Sequence, residues 1–302
     1  MLDSKHLHTL AAIVDQGGFA SAAQHLGVML AAVSQRIRAL EEQLGQRLLV
    51  RGKTVRPTPA GQAVLAHVRQ MQVMEADLLA RYAATAESGR WQTLPVAVNA
   101  DSVTTWFLPG VAPLLARQRL LLNLRVDDQD HTNAALLAGE VLGCVSTLSK
   151  PLRACVADPL GVMRYRCVAA PAVAQRVQRG GRLDVHALLD TPALIFSPKD
   201  ALQDQFLERH LGLRQPQYPR HHLPASDGYA QALDLGLGWG MVATQQLDAR
   251  PAHAPPLIDL LPGCTCDVAL YWQHWQRESE TALRLTRAVQ QAAQRFGLQE
   301  TF

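Results

Sequence analysis

Long apolar runs are missing from this sequence, and so is an apolar leader at its N-terminus. No segment approaches the roughly eighteen uninterrupted apolar residues that a membrane-spanning helix needs. The first residues include Asp3, Lys5, His6 and His8, which leave no apolar run of signal-peptide length. We therefore expect a cytoplasmic protein that has no membrane partner.

Cysteine is also scarce, and its spacing forms no recognisable pattern. The chain has five cysteines, an odd number, and their irregular positions argue against a disulfide framework. The one close pair, Cys264 and Cys266, has no second Cys/His pair that could complete a zinc site. We expect reduced thiols, no metal and no cofactor.

Motifs of the common enzyme classes are absent as well. The sequence has no Gly-x-Ser-x-Gly elbow, no His-Glu-x-x-His and no Gly-x-Gly-x-x-Gly after a first strand. The glycine run at 236–240 lies between a predicted helix and the following strand, the reverse of the order in a dinucleotide fold, which favours a tight turn. His221, His222 and His274 are predicted strand residues rather than metal ligands. We expect that the protein is not an enzyme, a hypothesis that turnover of any substrate would overturn.

The net charge is small and unevenly distributed. With 302 residues, of which 48% are hydrophobic, the chain is long enough for about two packed domains. Residues 1–90 hold ten Lys/Arg against seven Asp/Glu, whereas residues 91–302 hold nineteen of each, so the whole net charge of +3 lies in the first part. An excess of positive charge there suits a polyanionic partner.

A short helix, a glycine turn and a longer helix form the most informative stretch of the chain. Apolar spacing of about 3.6 residues predicts helices over 21–26 and 30–44, with Gly27 between them. The second helix has an apolar face formed by Val33, Ile37, Leu40 and Leu44. Its opposite face carries Ala31, Gln35 and Arg38, with Ser34 and Arg36 on the flanks. Such a pair is typical of the helix-turn-helix, whose second helix enters the major groove, although two helices of an ordinary bundle would share the pattern.

A basic hairpin follows directly and favours the helix-turn-helix over an ordinary helical bundle. Residues 48–50 are typical of a strand, and Arg51, Lys53 and Arg56 surround a glycine before the turn residues at 57–61. A basic hairpin after a reading helix is a wing placed to neutralise phosphates. The combination predicts a winged helix-turn-helix domain over 1–58 and double-stranded DNA as its partner.

A long helix is predicted between the two domains. A first helix over 5–16 completes a three-helix core, in which we expect Phe19 to be the central aromatic residue. Thr58 as N-cap and Pro59 at the first helical position begin a helix that nothing breaks before Ala86, so 59–90 forms a linker and hinge. Its apolar stripe is expected to pair with a second copy, giving a homodimer or a tetramer: Val64, Leu65, Val68, Met71, Leu78, Leu79 and Tyr82. Packing of this helix on the C-terminal domain is the alternative.

From residue 91 to residue 302, β-rich runs alternate with helices. This alternation is typical of parallel sheets with helices on both faces. We predict an α/β effector domain of two subdomains, like a periplasmic binding protein, joined by crossing strands. A ligand cleft is expected where the carboxyl ends of strands meet helix N-termini.

The order of these segments resembles that of LysR-type transcriptional regulators over the whole chain. The motifs that carry the resemblance are Ala-Val-Ser-Gln-Arg-Ile-Arg-Ala-Leu-Glu-Glu-Gln-Leu-Gly at 32–45 and Arg-Pro-Thr-Pro-Ala-Gly at 56–61. Shorter stretches at 48–51, 98–102, 105–106 and 270–272 are similar to the ArgP/LysG subgroup, which senses basic amino acids and controls their export.

The resemblance implies a regulator whose DNA binding or activation is changed by a small effector, with RNA polymerase as a further partner. It implies that the recognition helix turns one set of residues to DNA: Ser34, Gln35, Arg36 and Arg38. It also implies that the wing consists of Arg51, Lys53 and Arg56. One departure is that Met29-Leu30-Ala31 stands where the family usually has Thr-Gln-Ser, so the hydroxyl that would cap the helix is missing.

Polar residues at strand ends predict where the effector binds. The expected lining is Asp101, Ser102, Thr104, Trp106, Asp127, Asp128, Ser146, Thr147, Ser226 and Asp227. Ser102 or Thr104 is expected to cap the next helix and, with its free amides, to hold a carboxylate. The aspartates would form a facing cation site, and Trp106 would pack on an aliphatic stem. Together with the resemblance this predicts lysine or arginine, whereas a solvated loop and a helix cap are the alternative for the aspartates.

Two alternative hypotheses also predict a DNA-binding protein but differ in how it is regulated. A LysR-type regulator with a non-basic effector is one, and a ligand-independent nucleoid-type protein is the other. The second is the weaker, because some 200 neutral residues add nothing to binding of a phosphate backbone.

Overall fold

The computed structural model describes residues 2–50, 52, 55–83, 91–126, 129–296 and 298. The helices are α1 (Ser4–Asp15), α2 (Phe19–Leu26), α3 (Leu30–Leu44), α4 (Pro59–Ala83), α5 (Ala100–Ser102), α6 (Leu108–Arg117), α7 (Gln129–Leu137), α8 (Pro171–Val177), α9 (Val185–Asp190), α10 (Leu202–Leu211), α11 (Ser226–Asp234), α12 (Thr244–Asp248) and α13 (Glu280–Arg295), with a π-helical turn at Val103–Phe107. The strands are β1 (Leu49–Val50), β2 (Arg56–Pro57), β3 (Gln92–Val98), β4 (Leu120–Val126), β5 (Gly143–Ser146), β6 (Cys155–Ala169), β7 (Gln178–Arg179), β8 (Arg182–Leu183), β9 (Ala193–Ile195), β10 (Arg220–His222), β11 (Trp239–Ala243), β12 (Ile258–Asp259) and β13 (Thr265–Trp275).

The N-terminal core forms where α1, α2 and α3 meet. Leu10, Ile13, Ile37 and Leu40 are fully or almost fully buried there, as the 3.6-residue spacing predicts. Phe19 is only partly buried at the edge of this core, so its prediction as the central aromatic residue was wrong. Leu44, which was expected on the buried face of α3, is exposed because the helix ends there at Gly45.

The long helix α4 belongs in part to this core. Thr58 caps it as predicted, since its Oγ1 accepts a hydrogen bond of 3.0 Å from the Gly61 amide. Leu65 and Val68 are buried among the N-terminal core residues, so they cannot serve a dimer interface. The apolar side chains further along are exposed on the single chain: Met71, Met74, Leu78 and Leu79. The prediction therefore needs correction, because only the later part of the stripe is open to a second copy.

A nine-stranded mixed sheet organises the C-terminal part. Its strand order is β10-β9-β11-β6-β13-β5-β3-β4, with β12 paired on β6. The outer groups are parallel, β3 with β4 and β5 on one side and β9 with β10 and β11 on the other. The two long central strands β6 and β13 are antiparallel and run through both groups, so they are the predicted crossing strands that join two α/β subdomains.

Several short elements carry no periodic signal strong enough to be predicted. They are α8, α9, α12 and the β7–β8 hairpin, each seven residues or fewer. The glycine run at 236–240 forms the predicted tight turn between α11 and β11. In the part of the chain that the structure describes, no helix is long and apolar enough to cross a membrane. The five cysteines are free thiols, and no group of three or more potential metal ligands occurs among the described residues.

Candidate functional site

The turn between α2 and α3 depends on one glycine. Gly27 ends α2 in the left-handed conformation with φ of 64°, which a residue with a Cβ adopts at a cost. The chain then enters α3, whose buried face holds it on α1 and α2. On its outward face Ala31, Gln35 and Arg38 are exposed, as the spacing predicts. The outward face of α3 is therefore free to enter a DNA groove.

The two flanking residues of α3 are less free. Ser34 and Arg36 are partly buried, and Arg36 Nη1 donates a hydrogen bond of 3.3 Å to Thr9 Oγ1. Because Thr9 is fully buried on α1, Arg36 also braces the recognition helix against the first helix.

The N-terminus of α3 lacks a side-chain cap, as its sequence predicts. Met29 occupies the N-cap position without a side-chain hydrogen bond, and its side chain is 79% exposed. Leu30 is also exposed. Apolar side chains therefore stand where a capping hydroxyl would satisfy a free backbone amide.

The wing is anchored to α3 by a carboxylate. Glu41 Oε1 accepts a hydrogen bond of 2.8 Å from the Leu48 amide, immediately before β1. β1 and β2 pair antiparallel with Val50 opposite Arg56, and Arg56 is exposed. Arg51 and Lys53 lie outside the described residues, so their assignment to the wing stays a prediction.

The C-terminal part has a cleft of about 580 Å³ between its two subdomains. Asp101 and Thr104, from the helix that follows β3, form one wall of the cleft. Tyr165, on the crossing strand β6, also lines it. The opposite wall comes from the segment after β9, from α11, and from α12 and the residues that follow it: Phe196, Asp200, Ser226, Asp227, Tyr229, Asp234, Gln246 and Arg250. The location at strand ends agrees with the prediction for open α/β sheets.

Asp101 is the most constrained carboxylate of the cleft. Its Oδ2 accepts a hydrogen bond of 2.8 Å from the Tyr165 hydroxyl, and its Oδ1 accepts one of 3.1 Å from Gln246 Nε2. Burial raises the pKa of Asp101, these two hydrogen bonds oppose the rise, and the charge of Asp200 adds to it. Gln246 also donates to Thr104 Oγ1 at 3.1 Å, so one amide connects both subdomains.

The lining of the cleft is negatively charged overall. It contains four carboxylates, Asp101, Asp200, Asp227 and Asp234, against the single guanidinium of Arg250 and the imidazole of His253. Arg250 pairs with Asp234 at 2.6 Å, and this pair neutralises itself. The remaining carboxylates make the cleft suited to a cation.

Several predicted residues do not reach this cleft. Trp106 is completely buried in the core and cannot pack on a ligand. Ser102 is buried inside the helix rather than capping it, because the helix already begins at Ala100. Thr104 does line the cleft, but its hydroxyl donates back to the Ala100 and Asp101 carbonyls and does not cap the helix.

The prediction for the residues at the end of β5 also needs correction. Ser146 is buried, its Oγ accepts the Leu148 amide at 3.1 Å, and neither Ser146 nor Thr147 is among the described residues that line the cleft. Asp127 and Asp128 lie outside the described residues and stay a prediction. Of the expected lining, the structure brings together Asp101, Thr104, Ser226 and Asp227.

Among the cleft residues that were not predicted from the sequence, three interact with Asp101. Asp200 follows the end of β9, so the criterion that selected Asp101 could have found it. Tyr165 lies within a long strand, and Gln246 lies on a helix of five residues. No local signal marks either of them as a neighbour of Asp101.

The N-terminal part of the chain matches a known protein family. Residues 4–62 match the family described as bacterial regulatory helix-turn-helix protein, lysR family. The transcriptional regulator ArgP of Pseudomonas aeruginosa is 40% identical over 287 residues, which cover 95% of this chain and 94% of that protein.

Two solved structures extend the likeness to the whole fold. ArgP from Mycobacterium tuberculosis is 35% identical and superposes with a TM-score of 0.88, covering 97% of this chain and 98% of that one. LysG of Corynebacterium glutamicum, called a lysine export transcriptional regulatory protein, was solved with bound effector Arg; it is 32% identical with a TM-score of 0.79, covering 97% of this chain and 98% of that one. The resemblance predicted from the motifs is confirmed: this chain belongs to the LysR family of bacterial helix-turn-helix transcriptional regulators, in the group that contains ArgP and LysG.

Proposed function

We propose that this regulator binds lysine or arginine in the cleft between its two subdomains and thereby controls amino-acid export or metabolism. The observation that carries the proposal is the acidic lining of the cleft with Asp101 at its centre. LysG, a relative, has arginine as its bound effector. The regulator acts in the cytoplasm, where its DNA is, and has no enzymatic activity of its own.

The physical case rests on what burial does to Asp101. A partly buried carboxylate without a cation is costly, and the raised pKa of Asp101 expresses that cost. An ammonium or guanidinium group beside it would stabilise the ionised form. Asp200 and Asp227 are the other carboxylates placed to share that charge, and the hydroxyls of Thr104 and Ser226 offer polar contacts to the rest of the amino acid.

The DNA-binding surface is proposed to consist of the face of α3 and the wing. Gln35 and Arg38 are exposed at its centre, Ser34 and Arg36 flank it, and Arg56 contributes from β2. Arg51 and Lys53 complete the wing in this proposal. We divide the chain at 58 and 90, with the exposed later part of α4 pairing two copies.

Calorimetry on the full-length protein tests the effector. Lysine or arginine should bind, and norleucine, which has no side-chain cation, should not. Asp101→Asn should weaken binding at least tenfold, about 1.4 kcal/mol. Asp190→Asn, an exposed aspartate away from the cleft, is the matched control and should bind as the wild type does.

Two results would contradict the proposal. Equal affinity for norleucine would mean that the cleft does not read a cation, and the effector would then be of another class. A DNA footprint that ignores both sequence and amino acids would instead favour a ligand-independent architectural protein.

A further inference from the structure

The turn between α7 and β5 touches the linker helix through its main chain. Gly139 has φ of +68°, and a Cβ built on it would lie 2.7 Å from Ala66 Cα of α4. That distance leaves no room for a side chain, so the two backbones are in direct contact. The effector domain is therefore packed closely against α4 at this point.

Arg69, one turn along α4 from Ala66, joins three elements at this point. Its Nη1 donates a hydrogen bond of 2.9 Å to the Ala138 carbonyl, at the end of α7. Its Nη2 lies 2.8 Å from Asp15 Oδ1, at the end of α1 in the DNA-binding domain. Glu140 Oε1 is 3.5 Å from the same guanidinium. The Arg69 side chain is only 17% exposed, so solvent screens these contacts less than it screens a surface ion pair.

The same cluster reaches back toward the cleft. Glu140 is also paired with Arg125 near the end of β4. The register of β3 and β4 places the last residue of β4, Val126, opposite Val98, from which the chain continues to Asp101. Four alternating charges thus run from β4, the neighbour of the strand that leads to Asp101, to the DNA-binding domain: Arg125, Glu140, Arg69 and Asp15.

Helix α7 forms a second connection between the end of β4 and Arg69. It begins at Gln129, just beyond the end of β4, and ends at Leu137, beside the carbonyl that Arg69 holds. Nine residues of α-helix span about 13 Å as one rigid unit. A displacement at its first turn is therefore carried to Arg69.

We propose that Arg69 is the positioning residue through which occupancy of the cleft changes the placement of the DNA-binding domain. The inference rests on the proposed function, because it needs an effector that binds in the cleft. Coupling between two sites requires contacts that differ between the bound and free states and that join both sites physically. The Arg69 side chain contacts both the turn after α7 and the end of α1.

The test measures coupling rather than binding alone. DNA affinity of the full-length protein is determined with and without saturating lysine or arginine, for the wild type and for Arg69→Ala. The wild type should show a change of about fivefold or more, the usual range for allosteric coupling. Arg69→Ala should bind the amino acid within twofold of the wild type by calorimetry, while the effect of the amino acid on DNA affinity falls to less than twofold.

Two further variants keep the test decisive. Asp15→Asn removes the negative charge of the exposed partner on α1 with little change in side-chain size, and it should reduce the coupling in the same direction. Arg214→Ala breaks the exposed ion pair with Glu208, in which neither residue lines the cleft, and should change nothing.

The outcomes separate the two proposals. If Arg69→Ala and Asp15→Asn both keep the wild-type coupling, Arg69 is only a tether and the inference is wrong. If neither lysine nor arginine binds the wild type by calorimetry, it is the proposed function that fails, and the coupling role fails with it.

Discussion

The Tyr165 hydroxyl donates a hydrogen bond of 2.8 Å to Asp101 Oδ2 across the floor of the cleft. The bond joins the crossing strand β6 to the first subdomain. Gln246 holds the other oxygen of the same carboxylate from the second subdomain. Asp101 is therefore the residue at which the two subdomains and the crossing strands meet. Protonation of its carboxylate should change the affinity of any ligand that binds beside it.

We predict that effector binding depends on pH through Asp101. Burial raises the pKa of this carboxyl in the free protein, and a bound cation favours its ionised form. Affinity for the effector should be constant above the raised pKa and should fall as pH is lowered through it. This fall should begin at a higher pH than it would for an aspartate with an ordinary pKa. Binding near that pH should release a proton, which calorimetry in buffers of different ionisation enthalpy detects. Persistence of the same pH dependence in Asp101→Asn would assign it to another group.

A second pH dependence should appear in stability, through His274. This buried residue lies between two carboxylates, with Nε2 at 3.0 Å from Asp158 and Nδ1 at 3.2 Å from Glu278. Burial opposes the charged ring, but the hydrogen bonds and charges of Glu278 and Asp158 outweigh it and raise the pKa of His274. Because the pKa of His274 is higher in the folded than in the unfolded protein, its charge stabilises the folded state. This stabilisation is fully present at pH values below the unfolded-state pKa and is lost as pH rises through the folded-state pKa.

The measurement is urea unfolding of the wild type and His274→Gln over a range of pH. Between the unfolded and folded pKa values of this histidine, the wild type should lose about 1.4 kcal/mol of unfolding free energy per pH unit relative to the variant. Parallel curves for the two proteins would show that folding does not raise the pKa of His274.

The two parts of α4 should respond differently to substitution. Leu65→Ala, in the N-terminal core, should lower the free energy of unfolding by about 2–5 kcal/mol and leave the oligomer intact. Leu79→Glu, at a side chain 61% exposed on the single chain, should leave folding intact and separate the subunits by burying a carboxylate in their interface. Light scattering measures the mass. An unchanged mass for the double variant Met71→Glu/Leu79→Glu would mean that subunits pair elsewhere.

The face of α3 and the wing should contribute differently to DNA binding. Arg56→Ala should weaken binding to all sequences alike and reduce the salt dependence by roughly one unit, because a phosphate contact releases about one counterion. Gln35→Ala should keep the salt dependence and relax preference at particular base pairs. Fluorescence anisotropy over a salt series, on operator and scrambled DNA, separates these effects. A uniform loss for Gln35→Ala would place that residue on the phosphate backbone.

Much of the fold could be read from local patterns. The bounds of α3 were predicted at both ends, because apolar spacing and the flanking glycines are local signals. The capping hydroxyl of Thr58 and the turn at Gly27 likewise depend only on neighbouring residues. The sequence predicted that crossing strands join the two subdomains, but it did not predict their antiparallel pairing in the middle of one sheet.

The sequence by itself determined the helix-turn-helix, the start of the linker helix, the alternation of strands and helices, and the family. Only the tertiary structure decided which residues meet at the cleft. Tyr165 and Gln246 reach Asp101 from 64 and 145 residues away, and Trp106, five residues from Asp101, turns into the core instead. The same holds for α4, where Leu65 and Val68 pack on the N-terminal core and Met71, Leu78 and Leu79 stay open. Periodicity shows that a face is apolar, but what that face packs against depends on residues far away in the chain.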